Sequence, residues 1–187
     1  MILGAWKEFS ADSGFEGYDI RETSVPKTDE ESVRACRVLC EQNLCGEYGT
    51  TWACPPGAGP AAACVREVSR YTKAALITKR YEDIDAGDGA LTMRLGKEMQ
   101  DVCRRFANFL RLRGLGVFPM ADVGCGFCGL CAYPDGPCRF PAQRVASMGG
   151  YGIMMDKFLK GNGIPFSFEK DAATFYGIIL YDPRPPR

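Results

Sequence analysis

Thr174-Phe175-Tyr176-Gly177-Ile178-Ile179-Leu180-Tyr181 is an almost unbroken apolar run, rich in aromatic and β-branched side chains. At that length and composition it predicts a strand, and a strand apolar at consecutive positions is one covered on both faces, so it belongs in the centre of a sheet. Lys73–Thr78 reads as a second buried strand and Leu115–Met120 as a third, with Ile164–Phe168 and an edge strand within Tyr18–Val25 beside them. Between these runs the spacing turns helical. Leu95, Met99, Val102, Phe106, Phe109 and Leu110 form one stripe within Leu91–Arg113, which ends at Gly114. Cys103 sits beside that stripe and reads as packing, and Arg104, Arg105, Arg111 and Arg113, interspersed with Glu98 and Asp101, read as a solvated face.

Working outward, Thr28-Asp29-Glu30-Glu31 has the form of a capping box with Thr28 as N-cap, opening a helix to about Gln42. Pro60–Tyr71 predicts another helix, Pro141–Ala146 the start of a short one, and Met154, Met155, Phe158 and Leu159 an amphipathic turn or two that stops at Gly161-Asn162-Gly163. Residues 1–27 are mixed, and Asp182-Pro183-Arg184-Pro185-Pro186-Arg187 cannot continue a strand. Helices alternating with strands predict an α/β (or α+β) fold, a small three- to five-stranded sheet with packed helices, and the 187 residues form one domain.

Lys+Arg and Asp+Glu number 23 each, so no positive field recruits nucleic acid or anionic lipid. No stretch reaches the length of a membrane span and no leader precedes the fold, which places the expected protein in the cytoplasm. Ten cysteines in a reducing compartment argue for metal ligation over disulfides, and no histidine exists to share the work.

The cysteines concentrate in two places. Gly124-Cys125-Gly126-Phe127-Cys128-Gly129-Leu130-Cys131 runs on to Cys138 as C-x2-C-x2-C-x6-C, delivered by the strand at Leu115–Met120. Three thiols at successive spacings of three surround an iron–sulfur cluster, whereas tetrahedral zinc takes two separated C-x2-C knuckles. The sequence therefore predicts a [4Fe-4S] cluster on Cys125, Cys128, Cys131 and Cys138, with zinc as the alternative. The final gap of six, and Arg139 where the bacterial ferredoxin run has proline, make Cys138 the least secure ligand. Gly124, Gly126 and Gly129 are read as letting the backbone bend toward sulfur. Upstream, Cys40, Cys45 and Cys54 fall across a Gly- and Pro-rich loop that ends Cys54-Pro55-Pro56, and are candidates for a second cluster with Cys36 or Cys64 as the fourth ligand. Cys36 and Cys64 also fit as small core residues.

Three groups of residues together resemble the DUF2284 family, usually described as predicted metal-binding proteins: Cys45-Gly46-Glu47-Tyr48-Gly49 with Cys54-Pro55-Pro56; the Cys125 loop with Tyr133-Pro134-Asp135-Gly136-Pro137-Cys138-Arg139 and Pro141; and Ser147-Met148 with Tyr151-Gly152-Ile153. The likeness covers most of the chain from about Cys40 onward, and it implies metal binding. The chain departs from the family pattern at Phe140, Gly149 and Met154, where the resemblance would place a histidine and two carboxylates. Loss of proton-moving groups tilts the expectation toward electron transfer to a redox protein or a larger metalloenzyme complex, in an anaerobic setting. The alternatives are an enzyme with an open iron site, served by Tyr48, Asp135, Arg139 and Ser147, and a zinc-holding scaffold subunit; a homo-oligomer sharing a cluster fits the same pattern.

Overall fold

The structure is a computed structural model and describes residues 1–183. In chain order the elements are α1 (Ile2–Ser13), β1 (Asp19–Thr23), α2 (Glu30–Glu41), α3 (Ala61–Ser69), β2 (Lys73–Glu82), α4 (Gly89–Arg111), β3 (Gly116–Ala121), β4 (Ala146–Ser147), α5 (Met155–Gly161) and β5 (Ala172–Asp182). The five strands form one mixed sheet in the order β1-β2-β5-β3-β4, antiparallel throughout except for the β3–β4 pair. The fold is α/β, and β5 lies at its centre as its unbroken apolar run requires.

Both faces of β5 are buried. Phe175, Ile179 and Tyr181 join the core beneath α1 and α4, which includes Trp6, Phe9, Met99, Phe106 and Leu110. Tyr176, Ile178 and Leu180 point the opposite way, into the core formed with Val33 of α2, Val68 of α3 and Phe158 and Leu159 of α5. The same alternation runs through β2 and β3, so each strand supplies both cores. Gly177 interrupts the β5 run for a steric reason: a Cβ there would stand 2.1 Å from the Cys103 sulfur and 3.1 Å from that of Met99. Cys103, fully buried, is the packing residue its place beside the α4 stripe predicted.

Several expectations need correction. The α2 N-cap is Asp29, whose Oδ1 accepts from the Ser32 N–H at 2.7 Å while Ser32 Oγ accepts from the Asp29 N–H at 3.0 Å. Thr28 instead donates its hydroxyl to the Tyr151 carbonyl, at 2.8 Å. Ile2, Trp6 and Phe9 build an N-terminal helix that the mixed composition of residues 1–27 concealed. Ile164–Phe168 is not a strand; Phe166 and Phe168 form an edge-to-face pair in an irregular segment before β5. Pro141–Gln143 makes a single 3-10 turn, followed by the unforeseen two-residue β4. Arg104 is buried, its Nε donating to the Gln143 carbonyl at 3.1 Å and its Nη1 to Asp101 at 2.8 Å. Asp182 still belongs to β5, pairing with Gly116 and accepting from Thr72, while Arg184–Arg187 of the expected irregular tail lie outside the described residues.

The Gly177 contact is directly testable. Gly177→Ala forces a methyl against the Cys103 sulfur and is expected to cost about 1–3 kcal/mol in urea unfolding, the usual range for overpacking. Adding Cys103→Ala restores most of the loss. A Gly177→Ala protein as stable as wild type would contradict the packing described.

Candidate metal centre

Both cysteine loops are fixed by one face of α4. β3, buried along its whole length, ends at Ala121 and releases the chain toward Cys125. The next three residues are each tied down. Asp122 Oδ2 accepts from the Tyr176 N–H at 2.6 Å, continuing the β3–β5 pairing by a side chain. Gln100 Nε2 donates to the Val123 carbonyl, and Lys97 Nζ donates to the Gly124 carbonyl at 2.7 Å. Gly96 permits the approach, since a Cβ there would lie 2.6 Å from Val123 Cγ1.

Lys97 also reaches the upstream loop. Its ammonium pairs with Glu47 Oε1 at 2.6 Å, in a setting where Glu47 is only 14 % exposed and Lys97 30 %. One cation thus bridges a carboxylate of the first loop and a carbonyl of the second, and partial burial makes such a charge-assisted contact stronger than a surface pair. Around it the loops interlock: Trp52 Nε1 donates to the Gly136 carbonyl at 2.9 Å, the Trp52 and Tyr133 rings meet edge to face at 5.0 Å, and the Ser147 N–H donates to the Ala53 carbonyl at 3.1 Å. In the Cys125 loop Gly124 and Gly126 do steric work rather than conformational work, whereas a Cβ on Gly129 would meet nothing within 4 Å. Gly124, Gly126 and Gly129 are absent from the positive-φ residues. A Cβ on Gly124 would sit 2.4 Å from Glu47 Oε2 and 3.0 Å from the Cys54 sulfur, and one on Gly126 would meet the Lys97 chain at 2.8 Å.

Cys125, Cys128, Cys131 and Cys138 line a single cavity together with Trp52, Ala53, Phe127, Phe140 and Arg144. Cys138 is therefore on the same space as the other three despite its wider spacing. The cavity is small, about 20 Å³, close to the room one water needs. Phe127 and Phe140 pack edge to face at 5.2 Å and remain 42 % and 49 % exposed. Among the described residues no group of three or more Cys, Asp or Glu side chains is gathered as a ready-made site for a metal ion. The donor set, four thiols on one cavity in a chain without histidine, fits a soft metal chemically.

The upstream cysteines separate into two kinds. Cys40, Cys45 and Cys54 are electrostatic neighbours in sequence, Cys40 of Cys45 and Cys45 of Cys54, and Cys36 neighbours Cys40 one turn away on α2. The Cys40 sulfur also stands 3.8 Å from where a Gly149 Cβ would be. Cys64 belongs elsewhere: Arg37 Nη2 donates to its sulfur at 3.2 Å, and its charged neighbours are Arg37, Arg144 and Glu67 rather than cysteines. Burial pushes Cys54 up to about 11 and raises Cys36 and Cys40, so these donors are neutral thiols at ordinary pH and a metal must displace their protons.

The profile of the DUF2284 family, described as predicted metal-binding proteins, matches residues 27–181. The chain belongs to that family. Comparison with curated proteins and with solved structures found no match. In this DUF2284 member, the matched region contains both cysteine loops, β2, β3, β4 and all of β5 but its last residue, and leaves out α1 and β1. No described helix is long and apolar enough to cross a membrane. Lys97, Gln100, Asp122 and Arg144 are site residues that sequence reasoning missed; none carries a local signal, since each acts through a partner tens of positions away. Glu47 and Trp52 lay within the quoted loop but without an assigned role.

Desolvation raises the Asp122 carboxyl from 3.8 to about 7. Between those values the folded chain holds a proton that the unfolded chain has released, so this group's contribution to stability is complete below about pH 4 and is lost as pH rises through about 7. Asp122→Asn keeps an oxygen for the Tyr176 N–H and abolishes that dependence. Its thermal midpoint relative to wild type is expected to climb between pH 4 and pH 8; a constant difference across that range would contradict the desolvation of the Asp122 carboxyl.

Proposed function

We propose that this chain is an iron–sulfur protein, carrying a [4Fe-4S] cluster on Cys125, Cys128, Cys131 and Cys138 and passing single electrons to a redox partner. The observation that carries the reading is the common cavity of those four thiols at the end of a buried strand. All ten cysteines are free, in keeping with ligands kept reduced in a cytoplasmic setting. A cluster, once bound, supplies one-electron chemistry, and its potential is set by thiolate ligation, nearby N–H groups and solvent access. The chain's own part is to position the loop through Lys97, Gln100 and Asp122, to exclude water with Trp52, and to place Arg144 as a fixed positive charge beside the thiolates.

The rim suits an exchange partner. Leu130 is 83 % exposed beside the half-exposed Phe127 and Phe140, and Leu44 of the first loop is 90 % exposed. Apolar side chains around a centre give a redox partner a desolvated contact at short range. Cys40, Cys45 and Cys54, with Cys36 the fourth, are proposed as a second site; Cys64, engaged by Arg37, is set aside.

Zinc is the second reading, because four cysteines on one cavity are also the donor set of a structural zinc site. Serine at any one of Cys125, Cys128, Cys131 or Cys138, in protein purified without oxygen, is expected to remove about four irons and as many sulfides per chain. Cys103→Ala leaves the count unchanged. An iron and sulfide count that none of the four substitutions lowers would overturn the assignment, and zinc lost in their place would select the second reading.

A further inference from the structure

Arg144 faces two spaces. It lines the cysteine cavity, and it also lines a second cavity of about 360 Å³ between α3 and β3. That volume falls in the range of small-molecule sites. The second cavity is lined by Arg111, Arg144, Tyr71 and Tyr151, with Phe118 between the phenols and Glu67 as its one acid.

The cavity is unusually rich in donors. Arg111 Nη1 donates to the Ala142 carbonyl at 2.7 Å and to Asn108 Oδ1 at 3.0 Å, and its Nη2 donates to the Val117 carbonyl at 3.1 Å. Arg144 Nη1 donates to the Trp52 carbonyl at 3.3 Å. Neutral oxygens orient a guanidinium without cancelling its charge, and neither arginine forms an ion pair among the described residues. Glu67 does not compensate them, since it is paired with Arg70 at 3.1 Å. Tyr71 stacks on Phe118 with ring centres 6.1 Å apart, and Phe118 meets Tyr151 at 5.3 Å, so the aromatic wall holds both phenols in place. Neither hydroxyl has a protein partner among the described residues. Burial lifts both to about 12, which keeps them protonated donors. Two uncancelled guanidiniums and two unpartnered hydroxyls on one cavity call for an acceptor that carries negative charge.

We propose that this cavity binds a small organic anion, its carboxylate or phosphate group held by Arg111, Arg144, Tyr71 and Tyr151, and places it across the Arg144 wall from the cysteine cavity. The anion site does not depend on the cysteines carrying a cluster. Its coupling to the centre does rest on that reading, and gives the centre a molecule to sense or act on.

Calorimetric titration of the metal-loaded full chain with inorganic phosphate, succinate and benzoate tests the site. At least one is expected to saturate at one per chain, more weakly as salt rises, and the comparison between phosphate and the carboxylates identifies the group recognised. Tyr71→Phe and Tyr151→Phe preserve the aromatic wall and are each expected to weaken binding about fivefold, the worth of one hydrogen bond. Arg144→Gln is expected to weaken it tenfold or more. No saturable binding of any of the three, or binding equal in all the variants, would overturn the site. Where the protein contains iron, anion binding is expected to shift its visible spectrum; intact binding with no shift would overturn the placement across the wall. Protein without iron would fail the cluster reading alone, because the calorimetric result stands apart from it.

Discussion

The site stands on the packing of α4 across β3 and β5. Gly96, Gln100 and Cys103 recur at helical spacing on the side of α4 that meets the sheet, and each solves a different problem of close approach. Cys103 fills the space Gly177 leaves in the central strand, Gly96 lets Val123 come near, and Gln100 takes the Val123 carbonyl. Lys97, one residue along, extends the same contact to both cysteine loops through Gly124 and Glu47. A loop hung on a strand end is held only as well as the first residues after the strand, and here three in succession are anchored.

The electrostatics of the region follow from that crowding. The first loop supplies the carboxylate and the second the carbonyl that share the Lys97 ammonium, so neither loop is positioned independently of the other. Desolvation keeps Cys54 protonated and raises Asp122, which places the cost of ionisation near the donors rather than spreading it over the surface. Metal binding as proposed at the upstream cysteines would then be coupled to proton release from Cys36, Cys40 and Cys54.

The sheet was legible where strands are buried on both faces, because the run from Phe175 to Tyr181 has no other stable placement. It was less legible at the ends. Ile2, Trp6 and Phe9 have helical spacing, yet Gly14, Gly17 and Pro26 after them read as breakers of any long element; Asp29 displaced Thr28 as the cap because Ser32 could return the bond. Arg104 looked like one of several surface arginines, and its burial depends on a carbonyl at Gln143 that no local pattern reveals. The common cavity of the four downstream cysteines follows their spacing, including Cys138 across its wider gap. The partition upstream, with Cys64 drawn away by Arg37, depends on how α2 and α3 pack.

An iron–sulfur centre on the Cys125 loop would be visible in electron paramagnetic resonance of protein purified without oxygen, recorded before and after reduction with dithionite. A brown protein is expected, silent as isolated, that develops a spin-half signal on reduction, with one spin for each cluster. A colourless protein containing zinc and no sulfide, silent in both states, would contradict it.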